Sequence, residues 1–581
     1  MTPSLRLLLE DFLGLMREEG ELDVFLPLLL SAMGHELVYR AQKGPRQYGV
    51  DISSVGKDED GKKKLFLWLV KRGNIGRRDW DSGEQSIRQS MEDVGDTYLA
   101  SHIAPQHSRL PRKLVVLTNG DFNAALNLTM SSYLRAWSKR HRAQAVMVNG
   151  STLAAWSERF LLDEHVLPPE NKVLLRRMLA NVGSPELSIS VGRSLIENLV
   201  RSGDEAAKSE AARMKRRLSA LRGIRTALSV LQVWGQSERN QLAPYRLAEF
   251  AILRVWAQWG EKIRYGDPII APEYAQLLMQ MAGIAEAYHE QFQPYYVTQD
   301  GFANALPDSL LVTDAVFDQM GRLGLQGCLL AFFAVDAGNV EFGGLASVYV
   351  NRVVALLKSH TCTQSPSYDH QSSDIHVALV LLLVGGRRDE AKAWVESLAV
   401  RLATAAKSNR HWPISAPFEE ALAVRHGDEG MSPEFMATTT LVPMLLVWAS
   451  VLEMNEVYSF IKREIVAAIP GTTLNFWNSD EGYDRLVADQ QALHEHGVAE
   501  AVMHLPDSAA EFLVSITPAL PGVQPIEASV WYQSRAAYVP LLAALHWRLQ
   551  LPREMLVRHA VAVARNPTSA GEPAQRKVAL P

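Results

Sequence analysis

Two cysteines in 581 residues, Cys328 and Cys362, are too few for a disulfide framework and point to a reduced, cytoplasmic compartment. Long apolar runs are missing as well. The most apolar stretches, Val377 to Val384 and Leu441 to Leu452, fall well short of the ~20 residues that cross a bilayer, so no membrane partner is expected. Between Met1 and Gly20 the leucines are interrupted by Arg6, Glu10, Asp11, Arg17, Glu18 and Glu19, which breaks the apolar run a signal peptide requires, so an amphipathic helix is expected there. Excess charge of one sign is absent: 59 Lys and Arg face 64 Asp and Glu, a net charge of -5, so any nucleic-acid surface must be local. No G-x-x-x-x-G-K-[ST] loop, no G-x-G-x-x-G after a strand and no G-x-S-x-G elbow occurs, which removes the best evidence for an ATP-driven motor or a serine hydrolase. What is present is ordinary globular usage, 47% apolar and 21% charged, in a chain too long for one hydrophobic core.

The texture changes along the chain. Up to about residue 165, helical stretches alternate with short β-rich runs, which predicts an α/β domain over 1–165 with a mixed central sheet flanked by helices. A connector is expected at 166–185, where Gly183 and Pro185 punctuate a helix end. From 186 to 565 nearly every apolar stretch recurs at helical spacing, predicting a large all-α domain. Irregular helical repeats fit it, although no fixed period appears. The segment 566–581, with Pro567, Gly571 and Pro573, reads as a tail.

The most informative segment runs from Asp23 to Lys71. A helix ending at Gly34 feeds the strand-like run Glu36 to Arg40. Gly49 to Val55 and Lys64 to Lys71 then form two strands around a polar turn, an antiparallel hairpin. Asp51 lies near the start of the first of these strands, and Leu69-Val70-Lys71 ends the second. Over about Leu22 to Phe160 this order resembles the restriction-endonuclease-like superfamily, the PD-(D/E)XK nucleases, in the branch similar to Mrr-type enzymes.

The resemblance implies Mg²⁺-dependent phosphodiester hydrolysis. Asp51 and Asp23 would hold the metal with Glu36 as a reserve ligand, and Lys71 would steady the attacking water and the phosphate. Such chemistry wants oxygen ligands for a hard cation and a positive group for the developing charge. One position departs from the pattern. Where the family carries an acid or Gln two residues before the Lys, this chain has Leu69, on the same strand face as Lys71. Two readings therefore stand: a nuclease of bacterial restriction or anti-phage defence, or a pseudo-nuclease that keeps the fold as a docking platform. A rival spelling, Asp60-Gly61-Lys62, falls in the expected turn.

Cations gather beside the proposed pocket at Arg72, Arg77 and Arg78, and a second cluster holds Arg135, Lys139 and Arg140. Both are candidate phosphate contacts, predicting salt-sensitive binding of nucleic acid, DNA before RNA, with little sequence preference. Trp80 is a candidate for stacking on a base. His360, Cys362, His370 and His376 are zinc-ligand types, but their spacing fits no common zinc template. Protein subunits are the expected partners of the helical domain.

Overall fold

The computed structural model describes residues 10–565 apart from short stretches, the largest of which fall within 17–21, 41–48, 161–168, 409–417, 428–432, 480–496 and 519–535. The segment 566–581 lies outside the described residues. By internal contacts the chain forms two compact units, Met1–Pro244 and Tyr245–Pro581.

In the first unit, helix α1 (Asp23–Ala32) stops where Gly34 takes a φ of +84°, and β1 (Glu36–Arg40) leaves from it. Strands β2 (Ile52–Lys57) and β3 (Lys63–Lys71) form the hairpin. Gly61, at φ +75°, closes its turn, with its N–H donating to the Asp58 carbonyl at 2.8 Å. There follow α2 (Arg77–Asp81), α3 (Ile87–Asp93), β4 (Arg112–Thr118), α4 (Asn127–His141), β5 (Gln144–Val148) and α5 (Gly150–Phe160). The sheet runs in order β1-β2-β3-β4-β5. Its first three strands are antiparallel, and β3, β4 and β5 are parallel, so the expected mixed sheet flanked by helices is present.

Side-chain alternation in β3 explains how the sheet is sandwiched. Leu65, Leu67 and Leu69 point to the layer made by Ile87 and Met91 of α3 and by Met130 and Trp137 of α4. Phe66 and Trp68 point the other way. There His35 lies 4.6 Å from Phe66, Trp156 of α5 meets Trp68 edge-on at 6.4 Å, and the Trp68 indole N–H donates to Ser54 Oγ at 2.9 Å. Burying a leucine of this kind contributes about 1.5–3 kcal/mol.

The segment expected as a connector carries helix α6 (Pro169–Ala180). Helices α7 (Pro185–Gly203) and α8 (Glu210–Ser237), expected in the second domain, fall within the first unit. α6 packs on α7 and α7 on α8, and the Asn240 amide donates to the Val182 carbonyl at 2.5 Å.

The second unit is mainly helical. Its longer helices are α9 (Leu242–Arg264, from Tyr245 onward), α10 (Ile270–Val297), α11 (Ser309–Asp336), α12 (Val340–Ser359), α13 (Gln371–Val384), α14 (Arg388–Lys407), α15 (Phe418–His426), α16 (Leu441–Val451), α17 (Tyr538–Trp547) and α18 (Arg553–Arg565). It is not purely α, as the sequence pattern suggested. Strands β6 (Thr438–Thr439), β7 (Thr473–Ser479) and β8 (Gly497–Ala501) make a small sheet, β6-β7 parallel and β7-β8 antiparallel. Among the described residues α12 alone is long and apolar enough to cross a membrane, and 39% of that stretch is buried within the protein.

Candidate functional site

Asp51 sits one residue before β2. Because Ile52 pairs with Trp68, continuing the register by one step sets Asp51 opposite Leu69, and the Asp51 N–H donates to the Trp68 carbonyl at 2.9 Å. Asp51, Leu69 and Lys71 therefore share one face at one end of the hairpin, and Lys71 is the diagonal neighbour of Asp51. Gly49 lets the chain entering this strand pass close to the Ser90–Val94 backbone. It has a φ of +76°, and a Cβ there would fall 2.2 Å from the Ser90 carbonyl oxygen. By this register residues 51 and 71 fall on one sheet face.

The rest of the metal site does not assemble around that pair. Asp51 Oδ2 accepts the backbone N–H of Val70 at 2.7 Å, so half of the carboxylate closes the end of the β2–β3 ladder. Leu69 is 1% exposed and packs with Val50, Ile75 and Trp80 in the apolar layer. Glu36 is exposed and pairs with Val55, four residues along β2 from Asp51, roughly 13 Å away by strand rise. Asp23 is exposed in the first turn of α1. That helix packs on β1 and α5, and α5 covers the face of Trp68, opposite to the face of Asp51. Neither Asp23, expected as a metal ligand, nor the reserve acid Glu36 is brought to Asp51. The resemblance implies Mg²⁺, and a carboxylate that accepts a backbone N–H and faces a buried leucine falls short of the oxygen donors that ion takes.

Other candidates from the sequence separate in the same way. Asp60-Gly61-Lys62 is the exposed turn at the far end of the hairpin. Trp80 is not available for stacking: it is 3% exposed and meets Tyr133 edge-on at 5.3 Å. The zinc-type residues diverge. His370 bonds Asp314 at 3.2 Å, His360 lies against Phe302, and His376 lies against Trp448 and His559.

One grouping that sequence reasoning missed is Glu92, Asp96 and His141, whose ligand atoms lie within 4.8 Å of one another. Both Glu92 oxygens are engaged, by the Tyr133 hydroxyl at 2.5 Å and by Arg140 at 3.0 and 3.2 Å. The i, i+4 spacing of Glu92 and Asp96 was visible in the sequence. Their meeting with His141, 45 positions onward, depends on how α4 packs.

The cations fall on two elements of the first unit. Arg72, Arg77 and Arg78 are exposed on the loop and short helix that follow β3, at the C-terminal end of the parallel strands. Hydrogen bonds hold that loop to the one after β4. The Gly73 N–H donates to Asn119 Oδ1 at 2.7 Å, Thr118 Oγ1 donates to the Gly73 carbonyl at 2.5 Å, and the Asp121 N–H donates to Asn74 Oδ1 at 2.9 Å. Gly120 permits the close approach, since a Cβ there would fall 2.4 Å from the Gly73 carbonyl carbon. Arg135, Lys139 and Arg140 lie in the second half of α4. Arg140 is also paired with Glu92. Tyr133, two residues before Arg135, meets Trp80 of the short helix that carries Arg77 and Arg78, whereas Lys139 and Arg140 lie farther along α4. The chain matches no protein-family model, no curated protein and no solved structure.

Proposed function

We propose that the first unit is a pseudo-nuclease: a PD-(D/E)XK-like α/β domain that binds nucleic acid, DNA foremost, at the loop Arg72 to Arg78 without hydrolysing it. The helix–strand–hairpin order behind the resemblance is present, and the position of Leu69 carries the reading. Where the family's second ligand would stand there is an apolar side chain buried in the core, and neither Asp23 nor Glu36 replaces it. The exposed guanidiniums at the strand ends are free of the core packing that holds Trp80 and supply the electrostatic part of binding.

A Mg²⁺-dependent nuclease of restriction or anti-phage defence is the second reading, favoured by the shared face of Asp51 and Lys71. In either case the helical unit serves as sensor or scaffold for protein subunits, and the two unbridged cysteines support a cytoplasmic setting. The two readings separate in one experiment on the full chain. Duplex DNA binding is followed by fluorescence anisotropy across a salt series, in parallel with incubation in Mg²⁺ and Mn²⁺. Salt-sensitive binding with intact DNA supports the platform. Cleavage that disappears in Asp51→Asn supports the nuclease, and absence of binding at low salt defeats both.

A further inference from the structure

We propose that the polar network around Arg548 in the second unit is a proton-linked clasp that fastens the C-terminal turn of α17 to α11 and α13 and loosens as pH rises. Arg548 ends α17 in the left-handed region, at φ +55°, and reaches three carboxylates. Its Nη1 donates to both oxygens of Asp374, at 3.2 and 3.1 Å, and to Asp318 at 3.4 Å, while Nη2 donates to Asp314 at 2.9 Å. The same turn is held twice more by its backbone: the His546 carbonyl accepts Arg246 Nη2 at 2.8 Å, and the Leu549 carbonyl accepts Ser373 Oγ at 2.7 Å. From α9, Glu249 accepts Arg246 at 3.0 Å, Arg322 at 2.7 Å and His546 Nδ1 at 2.8 Å. Arg322 also donates to Asp318 at 2.7 Å, and His370 bonds Asp314. The phenols of Tyr245 and Tyr288 line the same region, with Arg322 lying 5.0 Å over the Tyr245 ring.

Charge counting makes the network proton-dependent. It contains four carboxylates, Glu249, Asp314, Asp318 and Asp374, and three guanidiniums, Arg246, Arg322 and Arg548. With all seven ionised, and with His546 and His370 set against Glu249 and Asp314, the carboxylates outnumber the guanidiniums by one, an excess negative charge in a site that takes it poorly. Asp374 is the group placed to shed it. Its side chain is 1% exposed and is pressed against Gly321, where a Cβ would fall 2.2 Å from Oδ1. Burial outweighs Arg548 and pushes its carboxyl up to about 8, whereas Arg322 and Arg548 hold Asp318 well below the usual range against the same burial. Protonated Asp374 leaves three carboxylates facing three guanidiniums.

A carboxyl raised in the folded state gives stabilisation that is complete below its ordinary value of 3.8 and drains away as pH climbs to about 8. His370, lowered by burial, opposes this only below its ordinary 6.5. Amide hydrogen exchange at 546–549 in the full chain, corrected for intrinsic rates, reads the opening directly. In the wild type the opening equilibrium should rise about tenfold per pH unit above 6.5 and level off past about 8, as release of one proton requires. Asp374→Asn, which keeps an acceptor but cannot ionise, should show a flat profile. A flat wild-type profile overturns the proposal whether or not the variant folds, and so does an Asn variant with the wild-type slope.

Discussion

In the first unit Arg72, Arg77 and Arg78 stand exposed at the strand ends, and the nearby Asp51 carboxylate is tied back to the chain. In the second, Arg322 is 5% exposed and bonded to Glu249 and Asp318. Guanidinium groups occur in both places, but their neighbours decide what they are for. An arginine on a hydrogen-bonded loop in water retains its attraction for an external anion. One enclosed by carboxylates has spent that attraction on the fold, and removing it leaves a buried charge without a counterion.

The sharpest way to break this contrast is Arg322→Ala. It should cost about 3–5 kcal/mol in urea unfolding by removing the guanidinium that Glu249 and Asp318 share, and a loss under 1 kcal/mol would show that the network is not what holds α9 to α11. Leu69→Ala should follow at about 2–5 kcal/mol, because a fully packed leucine leaves a cavity among Val50, Ile75 and Trp80. A nearly neutral result by thermal melting would mean that position 69 lies open, as a ligand position would. Replacing Arg72, Arg77 and Arg78 together by alanine should shift stability by no more than about 0.5 kcal/mol per residue while reducing the salt slope of DNA binding by up to about three units. Unchanged slopes in the anisotropy series would move the interface elsewhere. Smallest of all, Lys139→Ala, farther along α4, should leave DNA affinity within about twofold, and a larger loss would join the two clusters.

Much of the first unit was legible because its strands are short apolar runs bounded by turn residues. The apolar run in Lys63–Lys71 and the turn residues around Gly61 gave the hairpin, and the hairpin put Asp51 and Lys71 on one face. The fate of the supporting acids was not legible. Asp23 and Glu36 depend on which side of the sheet α1 packs and on the β1 register, and both are tertiary facts. In the second unit, α13 and α16 are buried on nearly every side, so they read as short apolar runs without an amphipathic stripe. β7 was missed because Thr473–Ser479 packs only Leu474, Phe476 and Trp477, too brief an apolar set to announce a strand amid helices. The ion network was invisible for a plainer reason: its members are up to 302 positions apart, from Arg246 to Arg548, and each resembles a surface residue when read alone.

The bond from Val70 to the Asp51 carboxylate has a practical side for anyone choosing an inactive control. Alanine at 51 would delete a negative charge and, in the same stroke, the last rung of a hairpin, so a silent assay could report a frayed sheet end instead of lost chemistry. Asparagine keeps an oxygen for that N–H, and the difference between the two substitutions isolates the architectural debt from any catalytic one.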